Sequence, residues 1–539
     1  VTPIIKATKA SNVKSFYTDS AFRTWYGDGK PGWKVKYYKG LGTSTSAEAR
    51  EYFKQIQDLT VRFDMDKMTD ESIILAFDKK KADARKVWLL ENTAKDANQL
   101  QVPYGSVKQL DITDFVHKDL VNFSLADLKR SIAHMADGLK PSQRKVMYSC
   151  FQKNLKDEMK VAQLAAYVAE KSSYHHGEVS LADTIVKLAN DYMGSNNINL
   201  LEPCGQFGTR LMGGKDASQT RYIFTRLTKD ARKIFDPRDD AILNYLDDDG
   251  RMIEPDFYMP TIPMVLVNGT EGIGTGFSCY IPPFDPKVIK ENIIRILNGE
   301  EIVTMRPWFR GFKGVVHEEE DTWMTEGVWK WSGENIVVTE LPPGRWTQDY
   351  KEYLDALVEK KLIGGYTNNS TTDDVHFEIT EYTGRNLLKD LKLRKTFRVS
   401  NMHLFHPVKG IHKYASPEEI LKDFVELRME HYKKRKAHLI DVLEKKATMC
   451  DHKSKFVSMV IEGKLVVFKR KKQDLETEIA VTFPKMDGTW DYLLNIKTVD
   501  YTEERVETLM KEASQATRDL EKMLKTDHID MWKMDIKNI

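Results

Sequence analysis

A tyrosine preceded by an arginine follows a glycine-rich, basic segment, and these residue types suit phosphoryl chemistry. Arg221 and Tyr222 come shortly after residues 205–215, which read Gly-Gln-Phe-Gly-Thr-Arg-Leu-Met-Gly-Gly-Lys. A phenol can attack phosphorus and hold a DNA strand covalently, provided that a base, a cation or a metal offsets its pKa of about 10. Tyr222 is therefore a candidate nucleophile.

Tyr222 also has a purely structural interpretation. The chain holds 22 tyrosines, and a tyrosine within Arg-Tyr-Ile-Phe is most often a half-buried strand residue. The glycine-rich segment and the adjacent cation favour the chemical interpretation.

Length and composition describe an ordinary protein of several domains. The chain has 539 residues, of which 41% are hydrophobic and 30% charged. Single cores stop growing at about 250–300 residues, so about three or four domains are expected. No apolar run reaches the roughly 18 residues that span a bilayer, so we expect no membrane partner. The net charge of +2, from 82 basic and 80 acidic residues, does not exclude DNA, because charges can be segregated by domain.

The cysteines indicate a reducing compartment. Cys150, Cys204, Cys279 and Cys450 are scattered with no Cys-x-x-Cys pair, which argues against a zinc site and a disulfide framework. The chain opens at Val1 in an apolar, strand-like segment without an initiator Met or a signal peptide, so we expect a fragment of a longer protein.

Residues 1–60 predict an α/β region. Residues 33–38 alternate at period two, and Thr45 with Glu48 forms a capping box for a helix over 47–59. A further helix is predicted over 72–88. Its rim carries cations that suit either a solvated face or a phosphate backbone: Lys79, Lys80, Lys81, Arg85 and Lys86.

Residues 103–235 show short helical patterns separated by turn signals. The segment 137–145 reads Asp-Gly-Leu-Lys-Pro-Ser-Gln-Arg-Lys, in which Pro141 suits a first helical turn. This composition favours a helix-turn-helix, whose recognition helix enters a groove while basic neighbours neutralise phosphates.

Residues 236–410 indicate an α+β body. Apolar runs at 264–267 and 334–340 are predicted as strands between helical stretches. The glycines at 272–276 suggest a dinucleotide-binding loop, but Phe277 stands where that fingerprint needs Gly or Ala, so the match fails.

The last quarter of the chain predicts long helices. Ser416 caps a helical stripe that reaches Leu443, and a second stripe covers 506–523. The two could pair as an antiparallel coiled coil with residues 450–500 at its tip, a place that suits a dimer contact. The run Lys-Lys-Arg-Lys at 433–436 is interpreted as a solvated helix face rather than a nuclear signal.

Five motifs occur in a fixed order along the chain. They are Tyr-Lys-Gly-Leu-Gly-Thr at 38–43, Asp-Gly-Leu-Lys-Pro at 137–141, Tyr-His-His-Gly-Glu at 174–178, the loop 205–222, and Asn-Gly-Thr-Glu-Gly-Ile-Gly-Thr-Gly at 268–276. Together they make the chain resemble eukaryotic-type DNA topoisomerase II, a type IIA enzyme. Five motifs in order are far more specific than any one alone.

The resemblance implies a multidomain α/β and α+β breakage-reunion core. The domains it implies are the C-terminal part of a TOPRIM domain at 1–65, a connecting basic helix and linker at 66–102, a winged-helix domain with the catalytic tyrosine at 103–235, a tower at 236–410, and antiparallel coiled-coil arms with a C-gate at 411–539.

In this resemblance, Tyr222 attacks a DNA phosphodiester, becomes joined to the 5′ phosphate and releases a 3′ hydroxyl. Arg221 is implied to stabilise the extra charge on pentacoordinate phosphorus. His176, and less directly His175, would accept the phenolic proton or bind a phosphate oxygen. A simple hydrogen-bonding role is the alternative for both histidines.

The resemblance also places side chains on the DNA backbone, where contacts position rather than specify. They are Arg85, Lys86, Lys140, Arg144, Tyr174, Ser180 and Lys215. Ile273, between two glycines, would wedge between base pairs and kink the duplex. An ordinary core isoleucine in a glycine turn is the alternative.

No metal ligand is assigned in this chain. In the family, the Mg²⁺ ligands of the TOPRIM domain lie upstream of the Lys-Gly-Leu-Gly motif, so they are expected before Val1. Asp64 and Asp66 are interpreted as parts of a solvated turn. The resemblance implies Mg²⁺ for the break, and ATP for the full-length enzyme.

The implied function is that of a homodimeric isomerase that cuts both strands of double-stranded DNA, lets a second duplex pass and reseals the break. The alternative is a non-catalytic architectural clamp on DNA, which would have no use for Arg221 beside Tyr222. A bacterial-type gyrase fits less well, because there the TOPRIM and tyrosine regions lie on separate chains. The family implies a nuclear address, while the short linker 90–104 and the compact segment 464–490 leave a viral or virion-associated protein open.

Overall fold

The amino-terminal region is built on a small antiparallel sheet with strand order β2-β1-β3. The computed structural model describes residues 1–27, 29–38, 44–93, 102, 104–174, 177–248, 250–319 and 322–539. The elements up to residue 93 are β1 (Ile5–Lys9), β2 (Asn12–Phe16), α1 (Asp19–Tyr26), β3 (Lys34–Tyr37), α2 (Ser46–Lys54), α3 (Ile56–Leu59), β4 (Arg62–Asp64), α4 (Thr69–Phe77) and α5 (Ala82–Thr93).

The capping box at the start of α2 is confirmed. The Thr45 hydroxyl accepts from the Glu48 N–H at 3.3 Å, and the Glu48 carboxylate accepts from the Thr45 N–H at 2.7 Å. The helix predicted to run on to residue 59 is interrupted at Gln55, which separates α2 from α3.

The single helix predicted over 72–88 is wrong. Asp78 has an extended backbone, and its carboxylate accepts from the N–H of Lys80, which starts a short 3₁₀ turn before α5.

Asp66 forms more hydrogen bonds than a residue of a solvated turn is expected to form. Its carboxylate accepts from the hydroxyls of Thr69 at 2.5 Å and Thr113 at 2.7 Å.

A helical region follows and is joined to the first by parallel pairing of β4 with the next strand. Its elements are β5 (Gln109–Asp111), α6 (Ile112–Asp114), α7 (Val121–Ser131), α8 (Pro141–Lys153), β6 (Met159–Lys160), α9 (Val161–Lys171), α10 (Glu178–Ala189), β7 (Phe224–Thr225) and α11 (Ala231–Ile234). Helix α8 begins at Pro141 as predicted. The apolar faces of α8, α9 and α10 meet in the largest core of the chain.

Two hairpins and two helices come next. They are β8 (Tyr245–Asp248), β9 (Arg251–Pro255), α12 (Met264–Val267), β10 (Thr270–Gly274), β11 (Phe277–Ile281) and α13 (Pro286–Asn298). The strand predicted at 264–267 is wrong, because these four residues form the helical turn α12. All four are buried, and a short apolar run of this kind does not distinguish a strand from a buried helix.

Residues 313–397 form a separate unit with its own core, which we call the β module. Its elements are β12 (Val315–Glu319), β13 (Thr322–Glu326), β14 (Trp329–Ser332), β15 (Asn335–Val338), α14 (Thr347–Glu359), β16 (Gly365–Asn368), β17 (Phe377–Thr380), α15 (Leu387–Asp390) and β18 (Arg394–Phe397). They make two antiparallel sheets, ordered β12-β13-β18 and β14-β15-β17-β16. Strand β15 confirms the strand predicted at 334–340, and Tyr350 of α14 packs edge-on against Phe377 in the core, with ring centroids 5.2 Å apart.

The last part of the chain forms a long arm. Its elements are β19 (Met402–His406), β20 (Gly410–Tyr414), α16 (Pro417–Ile461), α17 (Lys472–Ile479), α18 (Asp491–Leu494), α19 (Glu503–Lys525) and α20 (His528–Asn538). Helices α16 and α19 are antiparallel, because Lys436 bonds to Leu524 at one end while Phe456 and Leu509 share a core at the other. The predicted helix pair is confirmed. Among the described residues, none of the helices combines the length and the apolar composition that a membrane span requires.

A buried ion cluster fixes the arm to the body, and we call it the arm root. Arg435 of α16 is fully buried, with Nη1 2.7 Å from Asp535 of α20 and Nε 2.6 Å from Asp239. The interpretation of 433–436 as a solvated face is therefore wrong for Arg435.

Candidate functional site

Tyr222 projects from a backbone that is fixed on both sides. The carbonyls of Thr220 and Ile223 accept from the N–H groups of Ala162 and Val161, at 3.1 and 3.0 Å, where α9 begins. Ile223 is buried, whereas Tyr222 is 65% exposed and lies just before β7. The half-buried strand interpretation is therefore wrong, and the phenol is available to a ligand.

Arg221 lies against the ring of Tyr222. Its guanidinium carbon is 4.9 Å from the ring centroid, and both side chains are exposed. A ligand that brings a phosphate to the phenol would meet this cation at the same surface, where a planar guanidinium fork suits phosphate oxygens.

The segment before the tyrosine folds onto itself. Asp216 accepts from the backbone N–H of Thr209 at 2.9 Å and from its hydroxyl at 2.6 Å. Gly208 has a φ of 97°, and a Cβ there would lie 2.5 Å from the Cα of Gly214. Only glycine permits this close crossing, so the glycine-rich composition builds a compact loop, which we call the tyrosine loop (residues 205–222).

Some of the cations and hydroxyls expected to contact DNA lie at the surface or line a cleft beside α8. Lys215 is exposed on the tyrosine loop, and Ser180 is exposed in the first turn of α10. Ser180 and the half-buried Tyr174 line a cleft of about 460 Å³ together with Lys145. His175 and His176 lie outside the described residues, so their proposed proton transfer stays a prediction.

Lys140 stands at the N-cap position of α8 and faces the hairpin β10–β11. Its ammonium donates to the carbonyl of Glu271 at 2.7 Å, and burial lowers the pKa of this lysine. It also lines a cleft of about 610 Å³ with Lys187 and Lys395. These amines make a basic recess between the helical region and the β module.

The other residues expected to contact DNA form hydrogen bonds or ion pairs with other residues of the chain. Arg85 donates to two backbone carbonyls, at 3.0 and 2.8 Å, and Lys86 pairs with Asp83 at 3.0 Å. Arg144 is buried, with Nε 2.7 Å from Asp137, and it also donates to the carbonyl of Leu139 at 3.0 Å. Arg144 therefore supports the loop before α8 from inside and does not lie among the surface cations.

Ile273 projects from the hairpin β10–β11 and is 78% exposed. The neighbouring glycines face α7, because a Cβ at Gly272 would lie 2.2 Å from the carbonyl oxygen of Ser131. Side chains alternate along a strand, so the close approach at Gly272 directs Ile273 the other way. Thr275 fastens the tip of the hairpin to Asp127 at 2.9 Å. The alternative of a core isoleucine is wrong.

The described residues contain no cluster of side chains that would hold a resident metal ion. No group of three or more His, Cys, Asp or Glu side chains within that part of the chain could hold a metal ion. All four cysteines are free.

The sequence patterns did not single out Arg210, Glu340 or Trp346. Arg210 of the tyrosine loop forms a buried ion pair with Glu340 of the β module, and Trp346 covers Gly213. An arginine within a glycine-rich loop and a glutamate at the end of an apolar strand were the available signals. They are 130 residues apart, so neither indicated the other.

Comparisons with known proteins cover the whole chain. A family model that describes the A subunit of DNA gyrase/topoisomerase IV matches residues 130–537, and one described as the C-terminal associated domain of TOPRIM matches residues 1–128. The solved Plasmodium falciparum topoisomerase II DNA-binding, cleavage and re-ligation domain is 40% identical with a TM-score of 0.84. That match covers 100% of this chain and 78% of the solved one.

Curated relatives agree with these matches. The chain is 40% identical to "DNA topoisomerase 2, mitochondrial" of Dictyostelium discoideum, over 100% of this chain and 43% of the relative. It is 39% identical to DNA topoisomerase 2 of Saccharomyces cerevisiae, over 100% of this chain and 42% of the relative. The chain thus spans about two fifths of the length of these relatives.

Proposed function

The chain belongs to the eukaryotic DNA topoisomerase II family, and from this premise we propose that it is the core that breaks and rejoins DNA in such an enzyme. The observation that carries the proposal is the exposed phenol of Tyr222, held on a compact loop with Arg221 at 4.9 Å. An architectural clamp needs no such pair.

The proposed reaction exchanges one phosphodiester for another. The phenolic oxygen of Tyr222 attacks phosphorus and the bond from phosphorus to the 3′ oxygen breaks. The 3′ oxygen takes a proton from water and leaves as the 3′ hydroxyl, while the 5′ phosphate stays on the tyrosine. Because the phosphotyrosine remains a phosphodiester, the 3′ hydroxyl can attack it and reseal the strand without a further energy source. His176 is proposed to take the phenolic proton.

Arg221 is proposed to act in the transition state. The pentacoordinate phosphorus carries more negative charge on its oxygens than the ground state does, so a fixed cation there lowers the barrier. By analogy with single oxyanion donors, this interaction is worth about 3 kcal/mol.

Side chains of the tyrosine loop and of the two clefts beside α8 are proposed to hold the duplex. Lys215, Lys140, Tyr174 and Ser180 would contact the backbone, with Arg85 and Lys86 at its edge. Ile273 would wedge between base pairs, and a bend of this kind costs about 1–6 kcal/mol, offset by wider contact with the protein. Arg144 is left out of this surface because its guanidinium is bonded inside the protein.

The remaining features of the proposal concern the whole protein. Two copies would act as a homodimer in which each cuts one strand. Residues 450–500, at the tip of the arm, would form a dimer contact. The domain borders proposed are those that the resemblance implies. Mg²⁺ and ATP would be bound by the further parts of a protein of the relatives' length, so no step above uses a metal. By analogy with the eukaryotic relatives we propose a nuclear address, although one of them is named mitochondrial. These relatives give no support to a viral origin.

A plasmid cleavage assay tests the proposal. A protein of the relatives' length is incubated with supercoiled plasmid and Mg²⁺, and covalent adducts are trapped with detergent. We expect linear DNA with protein on its 5′ ends, and no adduct with Tyr222→Phe. Equal DNA binding without adducts in either protein would leave the architectural clamp instead.

A further inference from the structure

The β module contains a buried carboxylate, Glu340, whose only hydrogen-bond donors among the described residues of the module are two neutral backbone N–H groups. Glu340 follows β15 and is 0% exposed. Its two oxygens accept from the backbone N–H groups of Leu341 at 2.9 Å and Lys313 at 3.3 Å, both in the β module. A buried carboxylate with only neutral donors is costly, so this site demands a partner of positive charge.

The tyrosine loop supplies that partner. Arg210 is 4% exposed, and its guanidinium contacts both oxygens of Glu340. It also donates to the carbonyl of Asp373 at 3.3 Å. We call these two contacts of Arg210, with Glu340 and with the Asp373 carbonyl, the socket, and together they fix the orientation of the guanidinium plane. A paired, two-point contact of this kind has one geometry, unlike an apolar contact that can slide.

Backbone and packing contacts hold the same stretch of the loop against the β module. The N–H of Gln348 donates to the carbonyl of Leu211 at 2.9 Å. A Cβ at Gly213 would lie 2.2 Å from Nε1 of Trp346, so the indole packs directly on the loop backbone. The tyrosine loop is therefore a bridge between α9, which holds the residues beside Tyr222, and the β module.

Hydrogen bonds within the tyrosine loop connect the part that contains Arg210 to the part that contains Tyr222. Thr209 bonds to Asp216 at 2.9 Å, the N–H of Ser218 donates to Gln206 at 2.9 Å, and the N–H of Tyr222 donates to Gln219 at 2.9 Å. Because these hydrogen bonds link the loop internally, a displacement of Arg210 should also displace Tyr222.

We propose that Arg210 and Glu340 are positioning residues, through which the β module sets the place of the Tyr222 phenol. The inference rests on the proposed function, since it assigns the pair to DNA cleavage. Neither residue touches the reacting atoms. Misplacing a reacting group by about 1 Å costs on the order of 10²-fold in rate, so a loosened socket should slow cleavage without weakening DNA binding.

The test pairs two isosteric substitutions in the β module. Glu340→Gln removes the charge that Arg210 meets, whereas Glu326→Gln removes a carboxylate that pairs with Arg394 at 3.0 Å within the β module. Arg210→Lys, which keeps the charge but loses the fork, is the second variant should Glu340→Gln fold poorly. Hydrogen exchange of residues 205–222 is measured on the chain alone, and the rate of adduct formation at saturating DNA on a protein of the relatives' length.

We expect faster exchange in the tyrosine loop for Glu340→Gln and Arg210→Lys, and adduct formation slowed about 10²-fold and about 10-fold respectively, at unchanged DNA affinity. Glu326→Gln should resemble the wild type in both measurements. Unchanged exchange and unchanged adduct rate in Glu340→Gln would overturn the inference, as would a loss of adduct that merely follows a loss of DNA binding. Absence of adducts in the wild type would instead count against the proposed function, and the exchange measurement would still decide whether the pair holds the loop.

Discussion

The guanidinium carbon of Arg221 lies 4.9 Å from the centroid of the Tyr222 ring, and both side chains are exposed on the same surface. The two residues are adjacent in sequence, and the hydrogen bonds of Thr220 and Ile223 to α9 help to hold the backbone that carries both. A cation held beside a nucleophile can respond to charge that develops during attack without moving far, which is the condition for electrostatic catalysis.

Arg221→Ala should slow adduct formation by about 10²–10³-fold, the usual cost of removing one donor to a developing oxyanion. Arg221→Lys should lose less, because the charge remains while the planar fork is lost. Single-turnover cleavage of a short duplex measures both rates. DNA affinity, measured in parallel, should change little, because Arg221 is proposed to act in the transition state; a defect confined to binding would contradict that role.

Ile273→Ala should abolish most of the DNA bend while leaving the folded protein intact, because the side chain is 78% exposed. The angle can be followed by energy transfer between dyes at the two ends of a duplex. Gly272→Ala is the matched contrast, since its Cβ would lie 2.2 Å from the Ser131 carbonyl oxygen. It should lower the melting temperature, whereas Ile273→Ala should not. An unchanged bend in Ile273→Ala would remove the wedge from the proposal.

Features encoded locally were predictable from the sequence. The capping box at Thr45, the start of α8 at Pro141 and the long helix after Ser416 all depend on a few neighbouring residues, and all are confirmed. The resemblance carried by five ordered motifs is likewise confirmed by family models that cover almost the whole chain.

Features set by distant contacts were not predictable. The run at 264–267 is apolar enough for either a strand or a buried helical turn, and its periodicity does not distinguish the two. Arg435 sits in a basic run that suggests solvent, yet carboxylates far away in sequence enclose it. Arg210 and Glu340 are 130 residues apart, and no periodic pattern links them.

Lys215→Ala should weaken DNA binding about equally for all sequences, because an exposed cation on the tyrosine loop is expected to meet phosphate. The slope of log K against log salt should become less steep by about 0.9, the value for one phosphate contact. Lys511→Ala on the exposed face of α19 is the control and should leave the slope unchanged. An equal change in both variants would indicate a general charge effect rather than a contact.

The arm root should respond to acid in a defined direction. Asp239 is buried between Arg428, at 2.9 Å, and Arg435. None of the three guanidinium nitrogens of Arg428 makes a well-oriented hydrogen bond among the described residues, so its attraction to Asp239 is mainly Coulombic, with the Tyr432 ring 4.2 Å away on its face. Burial raises the pKa of Asp239, but the two arginines outweigh burial and hold the pKa below its ordinary 3.8.

Asp239→Asn should therefore destabilise the arm root by about 3–5 kcal/mol, because two buried guanidiniums lose their shared carboxylate. The stabilisation from a carboxyl with a lowered pKa is fully present above the unfolded value near 3.8 and disappears as the pH falls below it. Hydrogen exchange of α20, measured from neutral pH down to the acid limit of folding, should show this loss in the wild type and a smaller one in Asp239→Asn. Asp441→Asn, which removes an exposed pair with Lys445 at 2.9 Å, is the control and should cost less than about 1 kcal/mol. Identical acid profiles for wild type and Asp239→Asn would show that another carboxylate of the cluster, such as Asp535 or Asp236, determines how the stability of the arm root depends on pH.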